Sequence, residues 1–473
     1  MKLKKLLKDV NVLYADKIKN ININHISIST QDIKPNTLFV CLKGENFDSH
    51  NFKEYAMRSG CVAFIVEKYD KNFDGLQIVV QSSRLALSLI SRNFFKFKKS
   101  VKIIGITGTN GKTTTTYILA SILKCANKQC GIIGTEGVVY NNKKINFNMT
   151  TPDPILLFSY LKLMAEEGIK YVVMEVSAHA IFYEKIAGIN FFVKGLTNIS
   201  NDHLDFFDTK ENYAKTKIDF ISQGNCIKVI NLEDESADKL LINKKTYSYA
   251  KGDSADVFAY DFSTDYSTYT LNIFDKPLYI NTNLVGAYNV ENVLLACTIA
   301  HLIGIKEKFI IDGLKDFNGV EGRMNVYKKG KQTAIIDFAH TPDALEKVLK
   351  TVRQITQGKL YCLFGCGGNR DVEKRKQMGE ISAKLCDYVF ITSDNPRFER
   401  AEDIANDIAS GIKTSNYEII LDRQNAIKQA TLKLNDGDVL MLCGKGSESY
   451  IEINGVKHSY SEKQELSKWG FKN

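Results

Sequence analysis

Residues 104 to 114 read Ile-Gly-Ile-Thr-Gly-Thr-Asn-Gly-Lys-Thr-Thr, a glycine-rich turn between an apolar strand-like run and a helical stretch. No other feature restricts the fold as strongly, because a strand, a phosphate-sized turn and a helix in that order belong to parallel α/β sheets. The backbone amides of Gly108, Asn110 and Gly111 are expected to face phosphate oxygens, with the helix N-terminus adding positive potential. Lys112 is expected to reach the β- and γ-phosphates, and Thr113 or Thr114 to hold magnesium. The predicted ligand is ATP, bound along residues Gly108, Thr109, Asn110, Gly111, Lys112, Thr113 and Thr114. Strict spacing would put the first glycine at Ile106, so the loop is a compressed form of the P-loop. An incidental glycine turn is the bland alternative; residue types, spacing and flanking elements all speak against it.

At 473 residues the chain exceeds one ordinary core and is expected to form three domains, at 1–97, 98–322 and 323–473. The expected fold class is α/β: a small N-terminal α/β domain, a central P-loop-type parallel-sheet ATPase domain and a C-terminal doubly wound, Rossmann-like domain. A content of 44% hydrophobic and 25% charged residues is that of a globular protein. No apolar run approaches the roughly 20 residues of a membrane span, and the lysine-rich start lacks a signal-peptide core. A cytoplasmic protein without stable membrane insertion is expected. The ten cysteines contain no C-x-x-C pair and read as reduced, mostly buried thiols. A net charge of +9 spread along the chain suits an anionic ligand and does not mark a nucleic-acid partner.

The N-terminal region shows strand-like runs at 37–42 and 61–66, a helical run at 52–58 and a polar loop at 44–50. Strands are predicted at 171–176, 194–198 and 226–231, and residues 245–285 read as short antiparallel strands inserted at a sheet edge. From residue 333 strands alternate with helices: strands at 334–338, 359–364, 388–392, 417–421 and 439–443, helices at 342–355, 374–385, 401–412 and 423–434. Polar clusters follow four of these strands, at Asp337 and His340, 365–370, 394–397 and 444–448. In doubly wound sheets ligands sit beyond the carboxyl ends of strands, so the four clusters predict one site.

Glu175 ends an apolar strand where a carboxylate could ligate magnesium, with a solvated strand-end acid as the alternative. His203, flanked by Asp202 and Asp205, is a candidate metal ligand or base, with a structural histidine as the alternative. Lys217, on a predicted helix, would by chemistry alone be an ordinary solvated lysine.

These residues resemble the Mur ligases, the ATP-dependent amino-acid-adding enzymes of peptidoglycan synthesis, across essentially the whole chain. The resemblance rests on the phosphate loop, Thr150-Thr151-Pro152, Met174-Glu175-Val176-Ser177, Asp202-His203-Leu204-Asp205, Gly322-Arg323-Met324, the run from Asp337 to Ala344, Gly365-Cys366-Gly367-Gly368, Asp394-Asn395-Pro396-Arg397 and Gly444-Lys445-Gly446. It implies that Lys217, four residues after Tyr213, is carbamylated by carbon dioxide (N6-carboxylysine) and joins His203 at one magnesium. Thr113 and Glu175 would hold the other. It implies a catalytic set of Lys112, Lys217, His203 and Glu175, nucleotide contacts at Arg323, Asp337 and His340, and an adenine-proximal segment at Asn289 and Asn292. Contacts to the UDP-substrate would come from Thr150, Thr151, Ser177 and Lys185, and uridine would bind in the N-terminal domain. Arg370, Asp394, Asn395, Arg397, Gly444 and Glu448 would receive the amino acid.

The implied reaction converts a D-glutamyl γ-carboxylate to an acyl phosphate with ATP, and an incoming amine then displaces phosphate. Asp-Asn-Pro-Arg is the form that accompanies meso-diaminopimelate in similar ligases, so the implied substrates are UDP-N-acetylmuramoyl-L-alanyl-D-glutamate and meso-diaminopimelate, handled by a monomer. Departures from the family pattern are Ser447 for histidine, Ala178 for serine, Lys185 for arginine, Ser29-Thr30-Gln31 for Asp-Ser-Arg and Ser49 for glycine. The alternatives are addition of L-lysine, a folylpolyglutamate synthase-like ligase, and a non-catalytic P-loop protein bound to nucleic acid.

Overall fold

The computed structural model describes residues 1–15, 21–44, 47–97, 100–147, 149–240 and 245–472. They form two compact units, one of residues 1–107, 128–194 and 224–226, the other of residues 108–127, 195–223 and 227–473.

The first unit opens with a five-stranded sheet in the order Val12–Ala15, Gln77–Val80, Cys61–Val66, Thr37–Val40, His25–Ser27. All neighbours run parallel except the edge strand Val12–Ala15. Both faces of its inner strands are covered, which is why they read as continuous apolar runs rather than alternating ones. Leu38, Val40, Ile65 and Ile78 pack with the helix Ser83–Phe95, and Phe39, Phe64 and Val66 pack on the other side with Ala56 and Phe73. The predicted strand at 61–66 has those bounds, and the one at 37–42 ends two residues early. The helical run at 52–58 divides into a 3-10 turn, Ser49–Phe52, and a helix, Lys53–Arg58, because the Asp48 carboxylate caps the His50 amide. Residues 45 and 46 of the predicted loop lie outside the described residues. Further along the same unit, Lys102–Thr107, Tyr171–Glu175 and Cys130–Gly134 are parallel, and Gly137–Tyr140 and Lys143–Ile145 add an antiparallel meander.

In the second unit the helix Lys112–Cys125 packs against Ala287–Leu302 and Glu307–Lys315. The approach to the last helix is close: a Cβ on Gly313 would lie 2.5 Å from Ile122 Cα. The strands Ile227–Asn231, Thr246–Lys251 and Val257–Tyr260 are parallel, and only Thr268–Ile273 and Lys276–Asn281 continue antiparallel. This corrects the expectation of antiparallel strands throughout 245–285. The return at 252–256 is held by Asp256, whose carboxylate accepts from the Ser248 amide at 2.7 Å and hydroxyl at 2.8 Å. The strand expected at 194–198 spans Phe191–Leu196 instead.

The C-terminal part of this unit is a six-stranded sheet in the order Asn325–Lys329, Gln332–Asp337, Val439–Cys443, Leu360–Phe364, Tyr388–Ile391, Tyr417–Ile419, parallel except for its first strand. Helices Pro342–Ile355, Glu373–Leu385 and Ala401–Ala409 cover one face, through Leu345, Met378 and Ile404; Arg423–Lys433 and Glu462–Lys468 cover the other, through Ile427 and Leu466. That is a doubly wound layer order. A hairpin, Tyr450–Ile453 with Val456–Ser459, and the helix Glu462–Lys468 follow the last predicted strand and were not among the predicted elements. Among the described residues no helix is long and apolar enough to cross a membrane.

Candidate active site

The phosphate loop depends on two glycines. Gly108 has φ 144° and Gly111 φ 84°; a Cβ on the first would stand 1.8 Å from Thr197 Oγ1, and on the second 2.1 Å from Asn292 Oδ1. The loop is bound from below by residues that the sequence left unmarked. The Thr109 amide donates to Asn198 O at 2.7 Å, and Thr197 Oγ1 donates to Asn110 O at 2.6 Å. The Asn110 amide donates to Asn198 Oδ1 at 3.0 Å, so it is not one of the amides facing a phosphate, contrary to expectation. The Asn110 side chain donates to Asp343 Oδ2 at 2.9 Å. Asn292 lies against Gly111, accepts from Thr115 Oγ1 at 3.3 Å and donates to Asn289 Oδ1 at 3.1 Å, so both asparagines buttress the loop. Lys112 Nζ donates to Gly108 O at 2.9 Å and Thr109 O at 2.7 Å; Thr113 is buried and Thr114 half-buried on the first turn of the helix.

Lys217 is not a solvated lysine. Its helix, Lys210–Ser222, is started by Thr209, whose hydroxyl accepts from the Asn212 amide, and positions 213 and 217 fall on one buried face. The side chain is 1% exposed, its Nζ donates to Gly108 O at 2.9 Å, and it lies 4.6 Å from the centre of the Tyr213 ring. Burial holds its pKa well below the ordinary lysine range, the Lys112 charge pushes the same way, and Asp202 opposes them. The Tyr213 hydroxyl lies 3.1 Å from Thr109 Oγ1, which joins this helix to the loop. His203 occupies a left-handed conformation, φ 54°, and its Nε2 lies 3.5 Å from Asp202 Oδ2. Burial raises the Asp202 pKa, but His203, His340, Lys374 and Lys112 together bring it below the usual carboxylate range. Among the described residues no three His, Cys, Asp or Glu side chains cluster as a metal cage.

In the first unit Glu175 is fully buried rather than solvated. Its Oε1 accepts from the Thr135 amide at 3.0 Å and its Oε2 from the Thr135 hydroxyl at 3.1 Å. Gly134 leaves the room, since a Cβ there would sit 2.1 Å from Glu175 Oε1. Thr151 Oγ1 donates to Glu175 O at 2.9 Å and accepts from the Ser177 amide at 3.1 Å, and Thr150 meets Thr135 at 3.2 Å. Thr150, Thr151, Glu175 and Ser177 are thereby one cluster. Lys185 Nζ pairs with Asp153 at 2.7 Å, on a turn whose Glu184 carbonyl accepts from Ser88 Oγ at 2.6 Å. In the N-terminal sheet region, Ser29 Oγ accepts from the Gln31 amide, and His50 Nδ1 lies 2.6 Å from Asp48 Oδ1.

At the carboxyl ends of the C-terminal sheet, Asp337 accepts from the amides of Met324 at 2.9 Å and Ala339 at 2.8 Å; burial raises its pKa, against the charge of Arg323. Its carboxylate braces the segments that carry Arg323 and His340. Arg323 stacks 4.3 Å from the centre of the Phe338 ring, and His340 Nδ1 lies 2.8 Å from Phe338 O. Burial and the nearby Lys374 lower the His340 pKa. Lys445, fully buried, donates to Asn395 Oδ1 at 2.7 Å, Glu448 Oε2 at 3.0 Å and Tyr450 O at 2.8 Å, with Asp394 at 3.7 Å. Asn395 Nδ2 donates to Glu448 Oε2 at 2.9 Å. Gly444, φ 102°, makes room for Asp394: a Cβ would lie 2.8 Å from its Oδ2. Arg397 Nη1 donates to Gly368 O at 2.8 Å, and Arg370 is exposed.

Two organising residues had no role assigned from the sequence: Lys445, quoted there only as part of its glycine-flanked motif, and Arg423, which was not marked at all. Arg423, buried with Glu462, donates to Ser393 O at 3.2 Å and Cys443 O at 2.9 Å, tying together the strand ends before Asp394 and Gly444. The signal for Lys445 was available: a lysine between two glycines directly after a buried strand. Arg423 gave none, because an arginine in the first turn of a helix reads as a surface residue.

The family model of the Mur ligase middle domain matches residues 106–300, and that of the Mur ligase, glutamate ligase domain matches residues 322–446. The chain is 35% identical over 478 residues, 99% of each sequence, to UDP-N-acetylmuramoyl-L-alanyl-D-glutamate--2,6-diaminopimelate ligase 1 of Clostridium acetobutylicum. It is 39% identical over 466 residues, 96% of this chain and 95% of the relative, to the Aquifex aeolicus protein named UDP-N-acetylmuramoyl-L-alanyl-D-glutamate--2,6-diaminopimelate ligase. A solved structure of a ligase with that same name matches at a TM-score of 0.70 and 28% identity, over 99% of this chain and 98% of the other.

Proposed function

This chain belongs to the Mur ligase family, and we propose that it is the ATP-dependent ligase that adds meso-diaminopimelate to UDP-N-acetylmuramoyl-L-alanyl-D-glutamate in cytoplasmic peptidoglycan precursor synthesis. The observation that carries this reading is near-full-length similarity to ligases of that name, with Asp394-Asn395-Pro396-Arg397 present at the end of a sheet strand. Residues 1–97 would bind the uridine end of the substrate, 98–322 ATP and 323–473 the amino acid, within a monomer.

In the reaction, an oxygen of the D-glutamyl γ-carboxylate attacks the γ-phosphorus of ATP and ADP leaves. The neutral amine of the amino acid then attacks the acyl carbon, the bond to phosphate breaks, and the amine loses a proton. Lys112 would follow charge from the γ-phosphate to the acyl phosphate, and the glycine turn, buttressed by Asn198 and Asn292, would hold the phosphate chain in line. His203 with carbamylated Lys217 would hold a magnesium, and Thr113 on the loop and Glu175 in the first unit are further candidate magnesium ligands; such ions would neutralise phosphate charge during transfer. Lys217 fits the modification because burial favours its neutral amine, the form that carbon dioxide attacks. Thr150, Thr151, Ser177 and Lys185 serve the UDP-substrate. Lys445 fixes Asn395 and Glu448 for the amino acid, and Arg397 and Arg370 would take the distal carboxylate that L-lysine does not have.

Phosphate release measured with ATP, the UDP-dipeptide and meso-diaminopimelate, and with each omitted in turn, tests the proposal. Turnover that requires all three, with a product heavier than the dipeptide by one diaminopimelate residue, is expected. Turnover without the amino acid or without the UDP-dipeptide contradicts it.

A further inference from the structure

Arg397 is held in an unusual way. Its backbone has φ 53°, a conformation disfavoured for a residue with a side chain. The hairpin that follows the last sheet strand clamps it there: the Arg397 amide donates to Glu452 O at 3.0 Å, and the Asn454 amide donates to Arg397 O at 2.7 Å. Glu452 also reaches the side chain, its Oε2 lying 3.6 Å from Arg397 Nε, while Nη1 is engaged by Gly368 O. The two side chains are 22% and 21% exposed, so solvent screens the pair only partly. The same glutamate is locked into the amino-acid site, because its amide donates to Asn395 Oδ1 at 2.9 Å, the oxygen that Lys445 also contacts.

A guanidinium has five N–H donors in one plane. With Nε turned to Glu452 and one Nη1 proton on Gly368, no acceptor among the described residues meets Nη2, and the edge formed by Nη1 and Nη2 keeps the spacing that matches a carboxylate. We propose that Glu452 is a positioning residue for specificity: it fixes the plane of Arg397 before the amino acid arrives, so that this edge meets the substrate's distal carboxylate. The inference rests on the reading that Arg397 receives that carboxylate. Glu452 touches no reacting atom. Its effect is to remove rotamers that Arg397 would otherwise lose on binding, a saving of about 3- to 10-fold in apparent affinity.

The test compares full-length wild type, E452A, E452Q and R397A by phosphate release at varied meso-diaminopimelate, ATP and UDP-dipeptide, with thermal midpoints measured alongside. E452A is expected to raise KM for diaminopimelate about 3- to 10-fold, leaving kcat, both other KM values and the thermal midpoint unchanged. E452Q, whose amide oxygen can still face Nε, is expected to recover part of the loss. An unchanged or lowered KM for diaminopimelate in E452A, or a parallel rise in all three KM values, overturns the inference. The Arg397 side-chain Nε–H resonance of the substrate-free protein, assigned by its loss in R397A, separates this from the functional reading. It is expected to shift or broaden in E452A, and an unchanged resonance overturns the role of Glu452 whatever the substrate. An active wild type whose KM for diaminopimelate does not respond to R397A instead overturns the assignment of Arg397.

Discussion

Lys217→Met separates what this lysine contributes to activity from what it costs in stability. An exposed lysine has a pKa near 10.4, so at pH 7.4 about one amine in a thousand is neutral. Burial moves Lys217 toward the neutral form, since the side chain is almost wholly removed from solvent and packs against Tyr213 beneath Gly108. Methionine has a similar length, and the Gly108 carbonyl stays satisfied because Lys112 also donates to it. In carbon dioxide-free buffer near neutral pH the variant should be more stable by about 1 to 3 kcal/mol, the direction seen when buried charge is replaced by apolar volume. The sign with pH follows from linkage. The folded-state pKa is lowered, so between it and about 10.4 the unfolded chain binds more protons, and the lysine form gains stability as pH rises. The advantage of Lys217→Met should therefore shrink with rising pH and vanish near 10.4. Ligation should fall at least about 100-fold, as expected on losing a preorganised ligand. Urea midpoints from pH 6.5 to 10, with phosphate release at pH 8, check both outcomes. A variant less stable than wild type at every pH, or one that keeps its activity, refutes the reasoning.

Lys112→Ala should abolish phosphate release and leave the thermal midpoint in place, since the side chain contacts loop carbonyls rather than a core; normal turnover would remove the loop from the mechanism. Gly111→Ala combines φ 84° with a Cβ 2.1 Å from Asn292 Oδ1 and should cost about 1 to 3 kcal/mol of stability, with ATP affinity reduced at least tenfold. Calorimetric titration with ATP and a denaturation curve check it. Arg397→Ala should lower kcat/KM for meso-diaminopimelate by about 30- to 1,000-fold, equivalent to about 2 to 4 kcal/mol, and change that for L-lysine far less. Steady-state kinetics with both amino acids measure the two losses.

Periodicity and turn residues made much of the C-terminal sheet legible. The helix at 342–355 and the strand at 439–443 have their predicted bounds because Pro342, Thr341 and Gly444 punctuate them locally. The parallel pairing of Thr246–Lys251 with its neighbours was not legible, since strand direction is set by a short return at 252–256 and not by alternation. Site chemistry divides in the same way. Gly108, Gly111 and Lys112 announce themselves by spacing. Glu175 was marked by its place at the end of an apolar strand, whereas Lys217 looks like a surface charge and only tertiary packing buries it. Asn198 and Glu452 act through partners 88 and 55 positions away in the chain, at Asn110 and Arg397, so no local pattern could have marked them.

The most direct test of the account is kcat/KM for meso-diaminopimelate and for L-lysine, determined side by side on the unmodified enzyme with saturating ATP and UDP-N-acetylmuramoyl-L-alanyl-D-glutamate. The distal carboxylate facing Arg397 predicts a preference for meso-diaminopimelate of about 30- to 1,000-fold. Equal values, or a higher value for L-lysine, would contradict the account.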